Sequence, residues 1–230
     1  MIRKMWILLA TVALLAPAVF GMDSTDRQAG ASSNKPLYVG ILIQDNVLRV
    51  SNDLTAYRDF VNQLPAGSHV AIAYARTGTN LVVQPFTTNL AQAAEAIRPP
   101  SGFSSMQPGS PYVSVKGFLR TFPKTDTDVR KVLVFVSSGL DPIYGIDTRF
   151  APSADPYLNQ AIRLARKGDV TIYSIYAPGS AAYQRYQAVA FSGQGALNYL
   201  SDQTNGQAFF SGGTYVTARP FLKDIAAKIG

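Results

Sequence analysis

Chemistry at a protein site needs a nucleophile, a proton shuttle, a set of metal ligands or a phosphate cradle, and this chain offers few of them. It contains no Cys and a single His, His69. That excludes thiolate catalysis, disulfide frameworks, Cys-rich zinc sites, thiolate-held iron–sulfur clusters and multi-histidine metal sites. A Ser-His-Asp triad would have to use His69, whose setting in Gly67-Ser68-His69-Val70-Ala71-Ile72 reads as the start of a buried strand. Two polar clusters stand out, each following an apolar run: Asp45 after Leu37 to Gln44, and Ser137-Ser138-Gly139-Leu140-Asp141 after Lys131 to Val136. No glycine lies between Gln44 and Leu54, so a dinucleotide fingerprint and a Walker loop are both absent where they would be needed. The chemistry points to a binding module without a catalytic centre.

The elements that must position these clusters alternate along the chain. Leu37 to Gln44 and Lys131 to Ser137 are nearly all apolar, the pattern of strands covered on both faces in a parallel sheet. Between them, Leu54, Tyr57, Phe60, Val61 and Leu64 fall at helical spacing behind the cap candidates Ser51, Asn52 and Asp53. His69 to Thr77 and Leu81 to Phe86 read as a hairpin around Gly78-Thr79-Asn80, giving one antiparallel edge. Helices are predicted from Asn89 to Ile97, from Pro111 through Phe122, from Asp155 or Pro156 to Gly168, from Gly195 to Thr204, and from Pro220 to Ile229. Val170 to Tyr176 and Gln207 to Phe210 supply further strands. The expected fold is a Rossmann-like α/β sandwich, a mostly parallel central sheet with one antiparallel edge strand and helices on both faces. Sites in such folds lie outside the carboxyl ends of the strands, where both polar clusters fall.

The chain has 230 residues, 47% of them hydrophobic, with a formal charge of +7. Arg3 and Lys4, the apolar run Met5 to Phe20 and the small residues Ala16, Ala18 and Gly21 make residues 1–21 read as a secretory signal peptide. Residues 22–35 carry almost nothing to bury and read as a flexible linker, so the domain is expected over 36–230. These segments predict a secreted or periplasmic protein with no stable membrane span after signal cleavage. The other basic residues are spread thinly along the sequence, without the clustered stripe that a nucleic-acid groove would need.

The order of segments, a strand ending in Asp45, a hairpin, a Gly-Ser loop into a helix and a strand ending near Ser137 to Asp141, resembles the von Willebrand factor type A family over Pro36 to Gly230. The stretch Gly195 to Phe210, followed by Ala218 to Ile225, is similar to secreted type A-related proteins abundant in Acidobacteria. The resemblance implies a divalent-cation adhesion site built on Asp-x-Ser-x-Ser, a later Thr and a late Asp. Here the first Asp matches Asp45, but the two Ser positions fall on Val47 and Arg49, the Thr on Ser110 and the late Asp on Ser138. The site is therefore expected to be degenerate. Arg49 could take the cation's place beside Asp45, since a guanidinium satisfies a carboxylate without further ligands. Asp141 could stand in for the missing acid after a loop shift. For Asp45 and Ser110 helix capping is the alternative role, and for Ser137 and Ser138 it is satisfying loop backbone groups.

Ligand-binding candidates are thus Asp45, Arg49, Ser110, Ser138 and Asp141. Phe103, Tyr144, Phe150 and Tyr157, with Tyr183 and Tyr186, lie in or beside loops expected at the same end of the sheet, as interface anchors or as loop packing. The leading expectation is an exported, non-catalytic protein-interaction or adhesion-type module, with no cofactor and a protein partner in the envelope or extracellular space. The alternatives are a domain that binds its ligand through Mg²⁺, Ca²⁺ or Mn²⁺ held by Asp45, Ser110 and Asp141, and a hydrolase, for which the sequence offers only His69 and scattered carboxylates. Since residues 22–35 carry no core residues, a chain starting at Pro36 should melt at the temperature of one starting at Met22. A calorimetric loss of several degrees would show that the segment packs on the domain.

Overall fold

The apolar runs become the strands of one sheet. The computed structural model describes residues 35–47, 50–102, 109–124, 128–142, 144, 151–179, 187–211 and 215–230. All of them belong to one unit, Asn34–Gly230. Strands β1 (Leu37–Gln44), β2 (His69–Arg76), β3 (Thr79–Thr87), β4 (Arg130–Ser137), β5 (Val170–Tyr176) and β6 (Ala208–Phe209) lie in the order β3-β2-β1-β4-β5-β6. Every neighbouring pair is parallel except β2 and β3, the expected hairpin.

Helices α1 (Leu54–Asn62), α2 (Leu90–Glu95), α3 (Pro111–Leu119), α4 (Pro156–Lys167), α5 (Gln187–Asp202) and α6 (Arg219–Ile229) cover both faces. Because strand side chains alternate, β1 sends Val39, Ile41 and Ile43 into a core shared with α1, α2 and α6. Leu42 points into the opposite core with Phe118 of α3, Leu158 of α4 and Leu197 of α5. Gly40 faces the same way, and a Cβ there would come within 2.5 Å of the Phe118 ring and 2.9 Å of the Phe122 ring. Two aromatic side chains thus pack directly on the backbone of the central strand. His69 opens β2 with its ring stacked on Tyr38, 4.3 Å between centroids, as part of the packing.

Local differences from the sequence expectation have identifiable causes. Asp53 precedes α1 but makes no cap bond there. Its carboxylate instead accepts from Tyr215 Oη at 2.8 Å, Thr217 Oγ1 at 3.0 Å and the Ala218 amide just ahead of α6. Asn89 and Asp155 do cap, accepting from the amides of Gln92 and of Tyr157 and Leu158 respectively. Helix α5 begins at Gln187, eight residues before Gly195. Ile41 and Val134 are fully buried in adjacent central strands. Replacing either with Asp puts an unpaired charge where water cannot reach, so the cooperative thermal transition should be lost. A retained cooperative melt by circular dichroism would contradict this placement.

Candidate functional site

Three groups of polar side chains lie at the carboxyl end of the sheet. The first centres on Asp45, the residue after β1, which is 1% exposed. Its Oδ1 accepts from Ser101 N at 2.8 Å and Arg98 Nη1 at 3.3 Å; its Oδ2 accepts from Ser101 Oγ at 2.6 Å and Arg76 Nε at 2.8 Å. Arg98 is itself held in place. Tyr74 Oη donates to the Arg98 carbonyl at 2.6 Å and accepts from its amide at 2.8 Å, and the guanidinium carbon lies 3.9 Å from the Tyr74 ring centroid. Burial pushes the Asp45 pKa up, but the hydrogen bonds from Ser101, Arg76 and Arg98 outweigh it and hold the carboxyl below its ordinary value.

The second group joins two strand ends. Gln44 Oε1 accepts from Ser137 Oγ at 2.7 Å, Ser138 N at 3.0 Å and Ser138 Oγ at 3.3 Å. Ser137 Oγ in turn accepts from the Gly139 amide at 2.9 Å. The loop is pressed against α5 backbone to backbone: a Cβ on Gly193 would lie 2.1 Å from the Ser138 carbonyl oxygen, and one on Gly139 2.2 Å from that of Gly193. Gly139 also needs its positive φ of 68°.

The third group is a carboxylate pair. Asp141 and Asp155, 1% and 4% exposed, line one small cavity of about 10 Å³ with Tyr144 and Pro152. Asp141 Oδ1 accepts from the Tyr144 amide at 3.1 Å, and Asp155 Oδ1 caps α4 through the amides of Tyr157 and Leu158 at 2.8 and 3.1 Å. Desolvation raises the Asp155 pKa and the Asp141 charge adds to that rise, while the two cap bonds oppose it. The cavity between the described walls holds about one water.

The candidates are therefore distributed rather than gathered. Asp45 is paired with arginines, but they are Arg76 and Arg98; Arg49 lies outside the described residues, as do Phe103, Phe150, Tyr183 and Tyr186. Ser110 precedes α3 without a cap bond, and its buried Oγ has no hydrogen-bond partner among the described residues. Tyr144 and Tyr157 meet edge to face at 6.5 Å. Gln44, Arg76, Arg98 and Ser101 were not singled out from the sequence. The available signal was that Arg76 ends its strand as Asp45 follows the neighbouring one, which the parallel register Gln44↔Ala75 turns into adjacency. Phe191, 61% exposed near the start of α5, was also missed because that helix begins earlier than expected.

A divalent cation of the kind the family resemblance implies does not fit here. A carboxylate offers about four lone-pair sites, and all four at Asp45 are filled by protein donors, two of them cationic. Among the described residues no three His, Cys, Asp or Glu side chains come together to hold a metal.

The sheet order, the helices on both faces and the acid directly after β1 define a von Willebrand factor type A fold. BatB, a conserved hypothetical protein from Bacteroides thetaiotaomicron, superposes with a TM-score of 0.54 at 12% identity, covering 85% of this chain and 97% of its own. An aerotolerance-related membrane protein from Bacteroides fragilis gives 0.55 at 13%, covering 84% and 98%. The von Willebrand factor domain of the type V pili tip protein Mfa5 from Porphyromonas gingivalis gives 0.53 at 14%, covering 85% and 95%. No family model and no curated protein matches the sequence. Among the described residues no helix is long and apolar enough to cross a membrane.

The two acids should respond oppositely to pH. Asp45, with its depressed pKa, contributes stability above the ordinary carboxylate range that is lost as pH falls through its folded-state value. Asp45→Ala should cost about 2–3 kcal/mol at neutral pH, measured by denaturant unfolding, and progressively less in acid. Asp155 is destabilised when ionised, so Asp155→Asn, which keeps the cap, should raise the neutral-pH melting temperature. That gain should vanish as the pH drops through the raised pKa. A lower melting temperature for Asp155→Asn at neutral pH would show that the charge stabilises α4.

Proposed function

We propose that this chain is a non-catalytic protein-interaction module of the adhesion type, binding through its carboxyl-end loops without a metal. The carrying observation is the saturation of Asp45. The position that would anchor a bridging cation is occupied by Arg76 and Arg98, so ligand contacts must come from side chains. The solved structures of like fold include a pili tip protein and the pilus adhesin SpaC from Lactobacillus rhamnosus GG, although the chain spans only 30% of the latter. Those names support an adhesion role here. Phe191 on α5, Tyr157 in the first turn of α4, and Tyr144, Phe103 and Phe150 are the anchors in this reading, because large rigid apolar side chains carry most interface energy. Export through residues 1–21 would bring the module to an envelope or extracellular partner.

The hydrolase alternative would need a substrate between Asp141 and Asp155, and the small cavity there speaks against it. The test is capture of a surface-fraction partner by the immobilised chain in EDTA and in millimolar Mg²⁺, with Phe191→Ala and Tyr144→Ala beside the unmodified chain. Equal capture in both buffers, reduced by either substitution at unchanged melting temperature, is expected. Capture that needs Mg²⁺, a melting temperature raised by the metal, or indifference to both substitutions would overturn the reading.

A further inference from the structure

The opposite, amino-terminal end of the sheet carries a groove of about 550 Å³ between the C-terminal ends of α3 and α4. Its apolar wall is Leu119, Phe122, Leu164 and Val170, and four cations border it, Arg120, Lys124, Lys131 and Lys167, against the single acid Asp169. Lys131 is the unusual member. It is 7% exposed, its Nζ donates to the Gly168 carbonyl at 3.2 Å, and among the described residues no carboxylate lies within ion-pair distance of it. Lysines are almost never buried to this degree without a counter-charge, and one carbonyl occupies only one of three donors. Lys131 also borders a second cavity with Arg130 and Lys228, which adds to the positive potential.

We propose that this groove binds a small anionic amphiphile, a single-chain carboxylate of the fatty-acid type. Its headgroup pairs with Lys131 Nζ and its hydrocarbon body lies on Leu119, Phe122, Leu164 and Val170. The assignment rests on charge complementarity and on size: the groove falls within the range of about 300–1,000 Å³ usual for small-molecule sites and is mainly apolar with a few polar groups. A largely buried lysine with no carboxylate partner among the described residues selects for an anion, and the apolar wall selects against a small hydrophilic one such as free phosphate. The site is independent of the carboxyl-end reading, so either can fail alone.

Isothermal titration calorimetry of the full chain with dodecanoate below its micellar concentration, beside dodecanol and inorganic phosphate, tests this. One saturable dodecanoate site is expected, with dodecanol weaker by roughly tenfold to a hundredfold, the usual gain from a charge-assisted hydrogen bond, and no response to phosphate. Lys131→Met, which keeps the aliphatic stem, should bring dodecanoate down to the level of dodecanol. Leu164→Glu, on the partly buried wall, should abolish binding of both and gives a second readout should Lys131→Met not fold. Equal affinity for dodecanoate and dodecanol, retention by Lys131→Met, absence of binding, or binding only to anionic vesicles would overturn the proposal. So would binding of an acidic apolar peptide without any response to dodecanoate.

Discussion

A carboxylate with almost no exposure must have its charge met on the spot, and at Asp45 that requirement ties three parts of the chain together. Arg76 comes from the end of β2, Arg98 and Ser101 from the segment after α2, and Asp45 itself from the end of β1. The Gly102 amide donating to the Asp45 carbonyl at 2.9 Å closes the same knot through the backbone. Beside it, the Tyr74 hydroxyl ties the amide and the carbonyl of Arg98 to β2, so the connection that follows α2 is held to two strands. The cluster also sets the functional character of this end, since a carboxylate whose lone pairs are filled by guanidiniums and a serine has none left for an external cation.

The knot depends in turn on β1 being covered on both faces. Val39, Ile41 and Ile43 fill one core and Leu42 the other, while Gly40 lets Phe118 and Phe122 sit on the strand itself. A strand packed this way cannot slip by one residue without exchanging its two faces. Its end is therefore a fixed point from which Gln44 can reach Ser137 and Ser138, and Asp45 can reach Arg76. Rigid strands thus deliver the polar groups at the carboxyl end of the sheet.

The two ends of the sheet differ in kind. At the carboxyl end the buried charges of Asp45 and Asp155 are met by protein donors, and the solvent-facing feature is apolar, Phe191 on α5. At the amino-terminal end an apolar groove is bordered by an excess of cations, one of them buried beside a neutral carbonyl. Protein recognition without a cation suits the first; an anionic amphiphile suits the second.

The strands, the antiparallel hairpin, the caps at Asn89 and Asp155 and the position of both strand-end clusters were legible in the sequence, because side-chain alternation, turn residues and capping act over a few neighbouring residues. What Asp45 and Asp53 bond to was not, since Arg76, Arg98 and Tyr215 are brought to them by strand register and helix packing across long stretches of chain. The early start of α5 was hidden for a related reason: Gly193 and Gly195 lower helix propensity, yet Gly193 is required where the Ser138 carbonyl meets the helix backbone. The basic residues looked evenly scattered because Arg120, Lys124, Lys131 and Lys167 sit on different elements, and only the packing of α3 and α4 against β4 and β5 collects them around one groove. Sequence alone decided which segments are strands and helices, a matter of local free energy. Tertiary structure alone decided which charges meet, because each such contact joins residues that chain connectivity leaves far apart.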